Sequence, residues 1–272
     1  MDDSHFLLDN APPKEVTYTL LSFSLGSEYS NIDLIDILND KWSYKAQRNY
    51  SNSTRRLFDL QLLDKNEAGL FSITTLGEKV KEIHEFDYEL FTDIFHFLHT
   101  TSYYFIENPR MLFWSYRKCS EYLWRNKKIT TNQEISNHVI NEIDNNWPNL
   151  DTSTRGGRFN EGGVSSWKSW VNSLVPNPIG DSGELIYRHT NRYELILLSI
   201  DDYYRKYKLR FGDPVVVGAN VLDEISSVFF LDPECAKQLI NIASRLSPLL
   251  SKRDTYGGMA ITLNEPYSIE RI

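Results

Sequence analysis

The stretch "SNSTRRLFDLQLLDKNEAGLFSITTLGEKV", residues 51–80, decides the fold. Its first half predicts a helix with Leu57, Leu60 and Leu63 facing inward. A polar turn at "KNEAG" follows, and then a short strand at residues 71–74 that runs into a new helix. Helix, turn, strand and helix in this order indicate a small unit in which a short strand follows the helix and its turn.

Two more helices are predicted ahead of this stretch, within residues 17–40. Apolar residues recur at helical spacing in the second of them, and Ser30 or Asn31 is its predicted N-cap. Ser51 or Ser53 is the predicted N-cap of the third helix. Three short helices followed by a turn and a strand are the order of a winged helix-turn-helix, whose β-wing follows the recognition helix.

Residues 41–56 form a basic strip that carries no acid. The whole chain is acidic, with 37 Asp+Glu against 29 Lys+Arg, so this strip stands out from its background. Lys and Arg contact phosphates, and Asn and Arg also read base edges. The strip therefore predicts duplex DNA contact through Lys41, Lys45, Arg48, Asn52, Arg55 and Arg56, with the last three on the outer face of the third helix. A solvated surface without a partner is the alternative interpretation.

Two further groups of basic residues are predicted to help. Arg117, Arg125, Lys127 and Lys128 lie at the end of an aromatic-rich segment, residues 84–128, that reads as a helical hairpin broken at Asn108-Pro109. Arg155 and Arg158 lie in the glycine-rich stretch "STRGGRFNEGG", which lacks the glycine spacing of nucleotide-binding loops. That stretch is interpreted either as a flexible loop or as a contact to a nucleic-acid backbone.

The sequence predicts a mainly α-helical protein made of winged helix-turn-helix unit(s) with short β-wings plus a helical remainder. Three domains are predicted: a winged helix-like domain at 15–85, a helical domain with the glycine-rich loop at 86–180, and a C-terminal helical unit with a terminal strand at 181–272. Helices are expected to start at Thr130 or Thr131 and at Asp232-Pro233. Residues 1–14 are expected to form a loose arm.

No pattern of residues predicts catalysis, a cofactor or a metal site. His84, His96 and His99 could share a face as metal ligands, but no accompanying Cys or His motif supports this, and packing among aromatics is favoured. Cys119 and Cys235 are predicted to be buried or inert in a reducing cytosol. No signal peptide or membrane span is recognised, and a cytoplasmic location is expected.

The order of several short motifs resembles one bacterial family. "TTLGE", the helix "FDYELFTDIFHFLHTTSYYF", "SSWKSWVNSLV" and the C-terminal "GGMAITLNEP" together resemble the domain of unknown function 4007, over residues 20–265. That family tends to occur beside genes for DNA phosphorothioation and other phage-defence systems. The resemblance implies a DNA-linked accessory role and assigns no catalytic residues.

The resulting hypothesis is a DNA-binding accessory or regulatory protein of a bacterial DNA-modification or phage-defence system. The main alternative is a protein–protein adaptor, a subunit of a larger complex without direct DNA contact. Its interface would be anchored by exposed aromatic residues. The candidates are Trp114, Tyr116, Tyr122, Trp124, Trp167 and Trp170, although Trp167 and Trp170 are expected to share a buried face. A metal-dependent nuclease is a weaker alternative.

Overall fold

The computed structural model describes residues 6–107, 109–128, 130–149, 159–256 and 258–272. Within these ranges the chain forms eleven α-helices and small antiparallel sheets of two and three strands, which confirms the predicted mainly helical class. The chain divides into two compact units. Unit 1 contains residues 1–122 and 130–175, and unit 2 contains residues 123–129 and 176–272. The boundary predicted at residues 85–86 falls inside unit 1.

The first part of unit 1 consists of helices, a hairpin and another helix. Its elements are α1 (Pro13–Ser22), α2 (Asn31–Trp42), α3 (Ser51–Asp59), β1 (Leu63–Lys65), β2 (Phe71–Ile73) and α4 (Thr75–Phe86). β1 and β2 pair antiparallel, with Leu63 opposite Ile73. Tyr29, between α1 and α2, exchanges two backbone hydrogen bonds with Phe71 at 2.9 and 2.8 Å. The hairpin is thus tied to the loop that precedes α2.

The inner face of α3 follows the apolar spacing of the sequence. Leu57, Leu60 and Leu63 are all buried, as predicted. The predicted cap of α3 is wrong, because the helix follows Tyr50 without a side-chain cap. Ser53 instead donates its hydroxyl to the buried carboxylate of Glu15 at 2.5 Å. The long-range partner has therefore replaced the local cap.

Two predicted helix starts in unit 1 are confirmed by their capping hydrogen bonds. Ser30 caps α2 through a capping box with Asp33, and Thr131 caps α7 through one with Glu134. In each box a hydroxyl accepts from the third helical amide while the acidic side chain reaches back to the cap amide. These bonds join residues three apart, so the local sequence is sufficient to predict them.

The "TTLGE" motif has a steric explanation at the junction between the hairpin and α4. Thr74 caps α4 and accepts from the Gly77 amide at 3.0 Å. A β-carbon on Gly77 would lie 2.1 Å from the carbonyl oxygen of Leu62. The motif therefore permits close contact between α4 and the chain that enters β1.

Replacing Gly77 by Ala is expected to lower the free energy of unfolding by about 1–3 kcal/mol or more, because backbone must move to admit the methyl group. Chemical denaturation measures the change. Gly218→Ala is the matched control, since a β-carbon there meets no atom within 4 Å. Equal stability of the two variants would contradict the steric explanation.

The remainder of unit 1 is helical and rich in buried aromatics. It contains α5 (Tyr88–Phe105), α6 (Met111–Asn126, whose last residues are assigned to unit 2), α7 (Asn132–Asn146) and α8 (Glu161–Val171). The helical hairpin predicted at 84–128 is present as α5 and α6. Trp167 and Trp170 are both buried on α8, as expected from their spacing. The Trp167 indole donates to Ser120 on α6 at 3.0 Å.

Residues 6–14 do not form the loose arm expected for residues 1–14, of which the first five lie outside the described residues. Residues 6–12, here called the strap, pack into unit 1, with Phe6, Leu8 and Ala11 buried. The Phe6 ring lies 5.8 Å from that of Trp114 and 5.2 Å from that of Trp147. These partners are more than a hundred residues away, so nothing local in the sequence marks the segment as part of the core.

Unit 2 combines three helices with a small sheet. Its elements are α9 (Tyr193–Lys206), β3 (Val215–Val217), α10 (Ala219–Ser227), α11 (Pro233–Leu246), β4 (Leu250–Thr255) and β5 (Gly258–Leu263). The sheet order is β3-β5-β4, and both pairings are antiparallel. Asp232 caps α11 with Pro233 at its first position, which confirms the predicted start. Cys119 and Cys235 are free and buried, as predicted.

None of the helices that the structure describes combines the length and the apolar character needed to cross a membrane.

Candidate nucleic-acid interface

The start of α3 and the loop before it carry the exposed part of the basic strip. Lys45 and Arg48 are exposed in the loop, and Arg55 is exposed on α3. Lys41 is exposed at the end of α2, with its ammonium 5.1 Å from the ring centre of Trp42. The N-terminal half of α3 and the loop that precedes it therefore expose positive charge to solvent.

A buried acid on α1 holds this loop in place. The carboxylate of Glu15 accepts from the backbone N–H of Gln47 at 2.7 Å and from the Ser53 hydroxyl at 2.5 Å. The next turn of α1 adds a second tie, since Thr19 and Tyr50 share a hydrogen bond of 3.1 Å. The sequence analysis missed Glu15. Its only signal was an acid four residues before Thr19, on the face of α1 that is buried.

Asn52 lies half-buried near the start of α3. Its amide nitrogen donates to the backbone oxygen of Asn10 in the strap at 3.5 Å, a long contact. The side chain of Asn10 donates in turn to Gln47 at 3.2 Å. The strap therefore borders the exposed start of α3 and contacts one of the predicted base-reading residues.

Arg56 does not lie on the outer face of α3, and its predicted DNA contact is wrong. The residue is only 1% exposed and forms an ion pair with Asp9 of the strap. Its guanidinium also lies 5.9 Å from the ring centre of Phe113. Arg55 and Arg56 point about 100° apart on the helix, so only one of them can face solvent fully.

Arg117 is likewise buried, at 3% exposure, which contradicts its predicted DNA contact. It pairs with Glu121 at 3.1 Å and lies 4.8 Å from the ring centre of Tyr104. An i,i+4 acid on the same helix accounts for this basic residue. Its charge supports α6 rather than an outside partner.

Of the other predicted basic residues, three belong to unit 2 and two lie outside the residues that the structure describes. Arg125, Lys127 and Lys128 are exposed and belong to unit 2, whereas the basic strip belongs to unit 1. A hydrogen bond with Tyr187 raises the pKa of Lys127, against the opposing effect of partial burial. Arg155 and Arg158 lie outside the residues that the structure describes.

A groove of about 900 Å³ runs along the outer face of α3. Its α3 wall includes Asn52, Arg55 and Phe58, and Phe58 is 43% exposed. The far end is closed by Arg110, which donates to Asp59 at 2.6 Å. Burial raises the pKa of Asp59, and the charges of Arg110, Arg56 and Arg55 oppose that rise. The exposed side chains of the α3 wall therefore include Arg55 and Phe58, whereas Asp59 at the end of the helix is paired.

The helix before the basic loop has the opposite charge. Asp33, Asp36 and Asp40 are exposed on α2. Carboxylates repel a phosphate backbone, so this part of α2 is unfavourable for close contact with DNA. Among residues 31–59, the exposed Lys and Arg side chains lie at the end of α2, in the loop and on α3, which restricts how a polyanion could approach.

The histidines pack among aromatics, as the sequence analysis favoured. His96 shares a hydrogen bond of 2.9 Å with the Tyr116 hydroxyl, and His99 shares one of 2.7 Å with the Phe95 carbonyl. Burial holds the pKa of His99 well below its usual value, and the charge of Arg56 adds to this effect. Among the described residues, no group of three or more His, Cys, Asp or Glu side chains is placed to hold a metal ion.

The aromatic residues suggested as adaptor anchors are mostly in the core. Five of them, Trp114, Tyr116, Trp124, Trp167 and Trp170, are buried, and Tyr122 is half-buried. Most of the set thus fills the core, and Tyr122 is its one partly exposed member. Large apolar side chains are exposed elsewhere in unit 1, at Leu25, Ile32 and Phe86.

Comparison of the chain with protein-family models, curated proteins and solved structures gives no match.

Proposed function

We propose that residues 13–86 are a winged helix-turn-helix that binds duplex DNA through the N-terminal half of α3. The order α1, α2, α3, hairpin, α4 supports this proposal, together with the Tyr29–Phe71 pairing, which adds a third short strand segment to the hairpin. In this class of domain the recognition helix enters the major groove with its N-terminal residues against the bases.

The observation that carries the proposal is the exposed charge at the start of α3. Lys45 and Arg48 precede the helix, and Arg55 lies one turn inside it. Glu15 anchors the loop from behind through Gln47 and Ser53, so these basic side chains stand on a fixed backbone. Phosphate contacts from Lys45 and Arg48 would position the protein, while Asn52 and Arg55 would face the base edges.

The wider role that we propose is that of a DNA-binding accessory protein of a DNA-modification or phage-defence system. The resemblance to the domain of unknown function 4007 suggests this setting. The burial of Arg56 and Arg117 reduces the number of phosphate contacts available to the chain. We therefore expect binding to be modest and its salt dependence to be shallow, since the slope scales with the number of phosphate contacts.

Replacing Arg48 and Arg55 together by Ala is expected to weaken duplex binding and to reduce the slope of log K against log salt by about 0.9 for each lost phosphate contact. Fluorescence anisotropy with a labelled duplex, at several KCl concentrations between about 50 and 200 mM, measures both quantities.

The matched control for this experiment is the double variant Arg210→Ala/Arg253→Ala. Both arginines are exposed in unit 2, so the control makes the same change in net charge away from α3. Equal losses of duplex affinity in the two double variants would show that binding depends only on the total charge of the protein. Undetectable binding at the lowest salt concentration would refute the proposal.

The adaptor role is the second candidate and rests on a different observation. Leu25 and Phe86 are 86% and 87% exposed, and Ile32 is 72% exposed. Exposed apolar side chains of this size are typical anchors of protein interfaces when they are grouped. Light scattering and pull-down with the variant Phe86→Ala test this candidate. A monomer that captures no partner, with or without the substitution, would count against it.

A further inference from the structure

A second cavity, separate from the α3 groove, lies within unit 1. Its volume is about 590 Å³, and it lies between the start of α1, the α4–α5 junction and the end of α8. Sites for small molecules fall in this size range and are lined mainly by apolar and aromatic side chains with a few polar groups. None of the residues proposed to contact DNA lines it.

The walls of this cavity form a row of aromatic rings. His84 lies 4.7 Å from Phe91, Phe91 lies 4.9 Å from Phe95, and Phe95 stacks on Trp170 at 5.4 Å with an interplanar angle of 17°. Phe91, Phe95 and Trp170 are buried, whereas Tyr88 is 53% exposed. Because the three buried rings expose at most 4% of their surface, Tyr88 is the ring of this row that a planar ligand can stack on, in addition to burying apolar area.

The buried rings are held by the surrounding structure. The Trp170 indole donates to the backbone oxygen of Ala11 in the strap at 3.1 Å, so its polar group is satisfied and its position is fixed. Phe95 stacks against it from α5. A cavity whose walls are fixed before binding loses little conformational entropy when a ligand enters.

The charges at this cavity favour an anion. Its lining includes Lys14 and no carboxylate among the described residues, although the chain has 37 Asp+Glu. Lys14 is exposed, with its ammonium 5.5 Å from the ring centre of Tyr18. α1 begins here after Pro12 without a side-chain cap, so its first amides add partial positive charge.

The hydroxyl groups of the lining add polar contacts of a restricted kind. Thr92 donates to the Glu89 carbonyl at 2.8 Å, and Ser173 donates to the Trp170 carbonyl at 2.6 Å. Because both hydrogens are used in these local bonds, the lone pairs of these oxygens remain as acceptors. Burial lowers the pKa of His84, against the opposing charge of Glu85, so the ring is mainly neutral at pH 7. The positive charge of the lining therefore comes from Lys14 and α1.

We infer that this cavity binds a small planar aromatic molecule that carries an anionic group. The rings of the ligand lie against Tyr88, with the buried Phe91 and Phe95 completing the lining, and the anionic group lies towards Lys14 and the start of α1. Binding would join α1 to α5 and α8 through a single ligand. The inference goes beyond the DNA-binding proposal and does not depend on it.

A pair of fluorescent probes tests both halves of this inference. 8-Anilinonaphthalene-1-sulfonate has fused rings and an anionic group, and N-phenyl-1-naphthylamine has the same rings without the sulfonate. Both are titrated into the folded full chain and into its variants. We expect saturable binding of the sulfonate probe at one site, and weaker binding of the neutral probe.

Two substitutions separate the rings from the charge. Lys14→Ala is expected to weaken binding of the sulfonate probe about three- to fivefold, since an exposed charge pair contributes little more. It is expected to leave binding of the neutral probe unchanged. Tyr88→Ala is expected to weaken both probes about tenfold, because it removes an aromatic contact. Both side chains are exposed, so the variants are expected to fold, and circular dichroism with thermal melting checks this.

The controls make the same substitutions elsewhere. Lys237→Ala and Tyr256→Ala change exposed residues of unit 2 and are expected to alter neither probe. Phe58→Ala changes the α3 groove and serves the same purpose within unit 1. The inference is overturned if Tyr88→Ala binds both probes as the parent chain does, or if Phe58→Ala is the variant that loses them. Equal losses of the two probes in Lys14→Ala would overturn the requirement for an anion.

Discussion

Replacing Asp9 by Ala is expected to lower the free energy of unfolding by about 3 kcal/mol, because it leaves a buried guanidinium without its counter-ion. Arg56 is 1% exposed, and its Nε and Nη1 atoms have no hydrogen-bond partner in the described structure. Asp9 is thus the direct ion-pair partner of this charge. We expect the lower end of the usual range because the Asp9 side chain is 22% exposed.

Urea denaturation followed by tryptophan fluorescence suits this measurement, since five of the six tryptophans lie in unit 1. Arg55→Ala is the control, because Arg55 is the exposed neighbour and should change stability by at most about 0.5 kcal/mol. The double variant Asp9→Ala/Arg56→Met should recover much of the loss, since no buried charge then remains. A stable Asp9→Ala variant would show that Arg56 does not depend on the strap.

Replacing Phe6 by Ala should destabilise the protein by about 3–5 kcal/mol, the cost usual for emptying an aromatic site in a core. Phe6 is fully buried, and its ring packs against Trp114 and Trp147. The strap also carries Asp9, so its displacement would weaken the ion pair with Arg56. Differential scanning calorimetry gives the change in Tm.

The control for this prediction makes the same chemical change on the surface. Phe86→Ala removes a ring that is 87% exposed, and we expect an effect within about 0.5 kcal/mol. If Phe6→Ala and Phe86→Ala melt alike, then the strap is not part of the cooperative core. The double variant Phe6→Ala/Asp9→Ala distinguishes two further cases. If the two contacts are independent, their losses of unfolding free energy add; if the strap moves as one piece, the loss in the double variant is smaller than the sum.

The sequence was sufficient wherever the deciding interaction is local. The caps at Ser30, Thr131 and Asp232 were predictable, because the bonding partners lie two or three residues away. The inner face of α3 was predictable from the spacing of Leu57, Leu60 and Leu63. The mainly helical class follows from the same periodicity.

The sequence was insufficient wherever a distant partner decides the outcome. Arg55 and Arg56 are identical neighbours, and only Asp9, 47 residues earlier, explains why Arg56 is buried. Arg117 is an exception, because its partner Glu121 lies only four residues further along the same helix and could have been found from the sequence. Of the predicted interface, Lys41, Lys45, Arg48 and Arg55 are exposed on unit 1, while Asn52 is half-buried.

The packing of the strap has a consequence for the order of folding. The Trp170 indole that donates to Ala11 is 159 residues further along the chain, so a growing polypeptide cannot form this bond until α8 has been synthesised. Phe6 packs on Trp114 and Trp147, so it also stays uncovered until those residues have been made. Contacts between residues so far apart in the sequence slow folding, because the chain loses the entropy of loop closure before the contacts stabilise it. Refolding of the purified chain should therefore show strap closure as a late step, and nascent chains that end before α8 should expose an apolar N-terminal segment to chaperones.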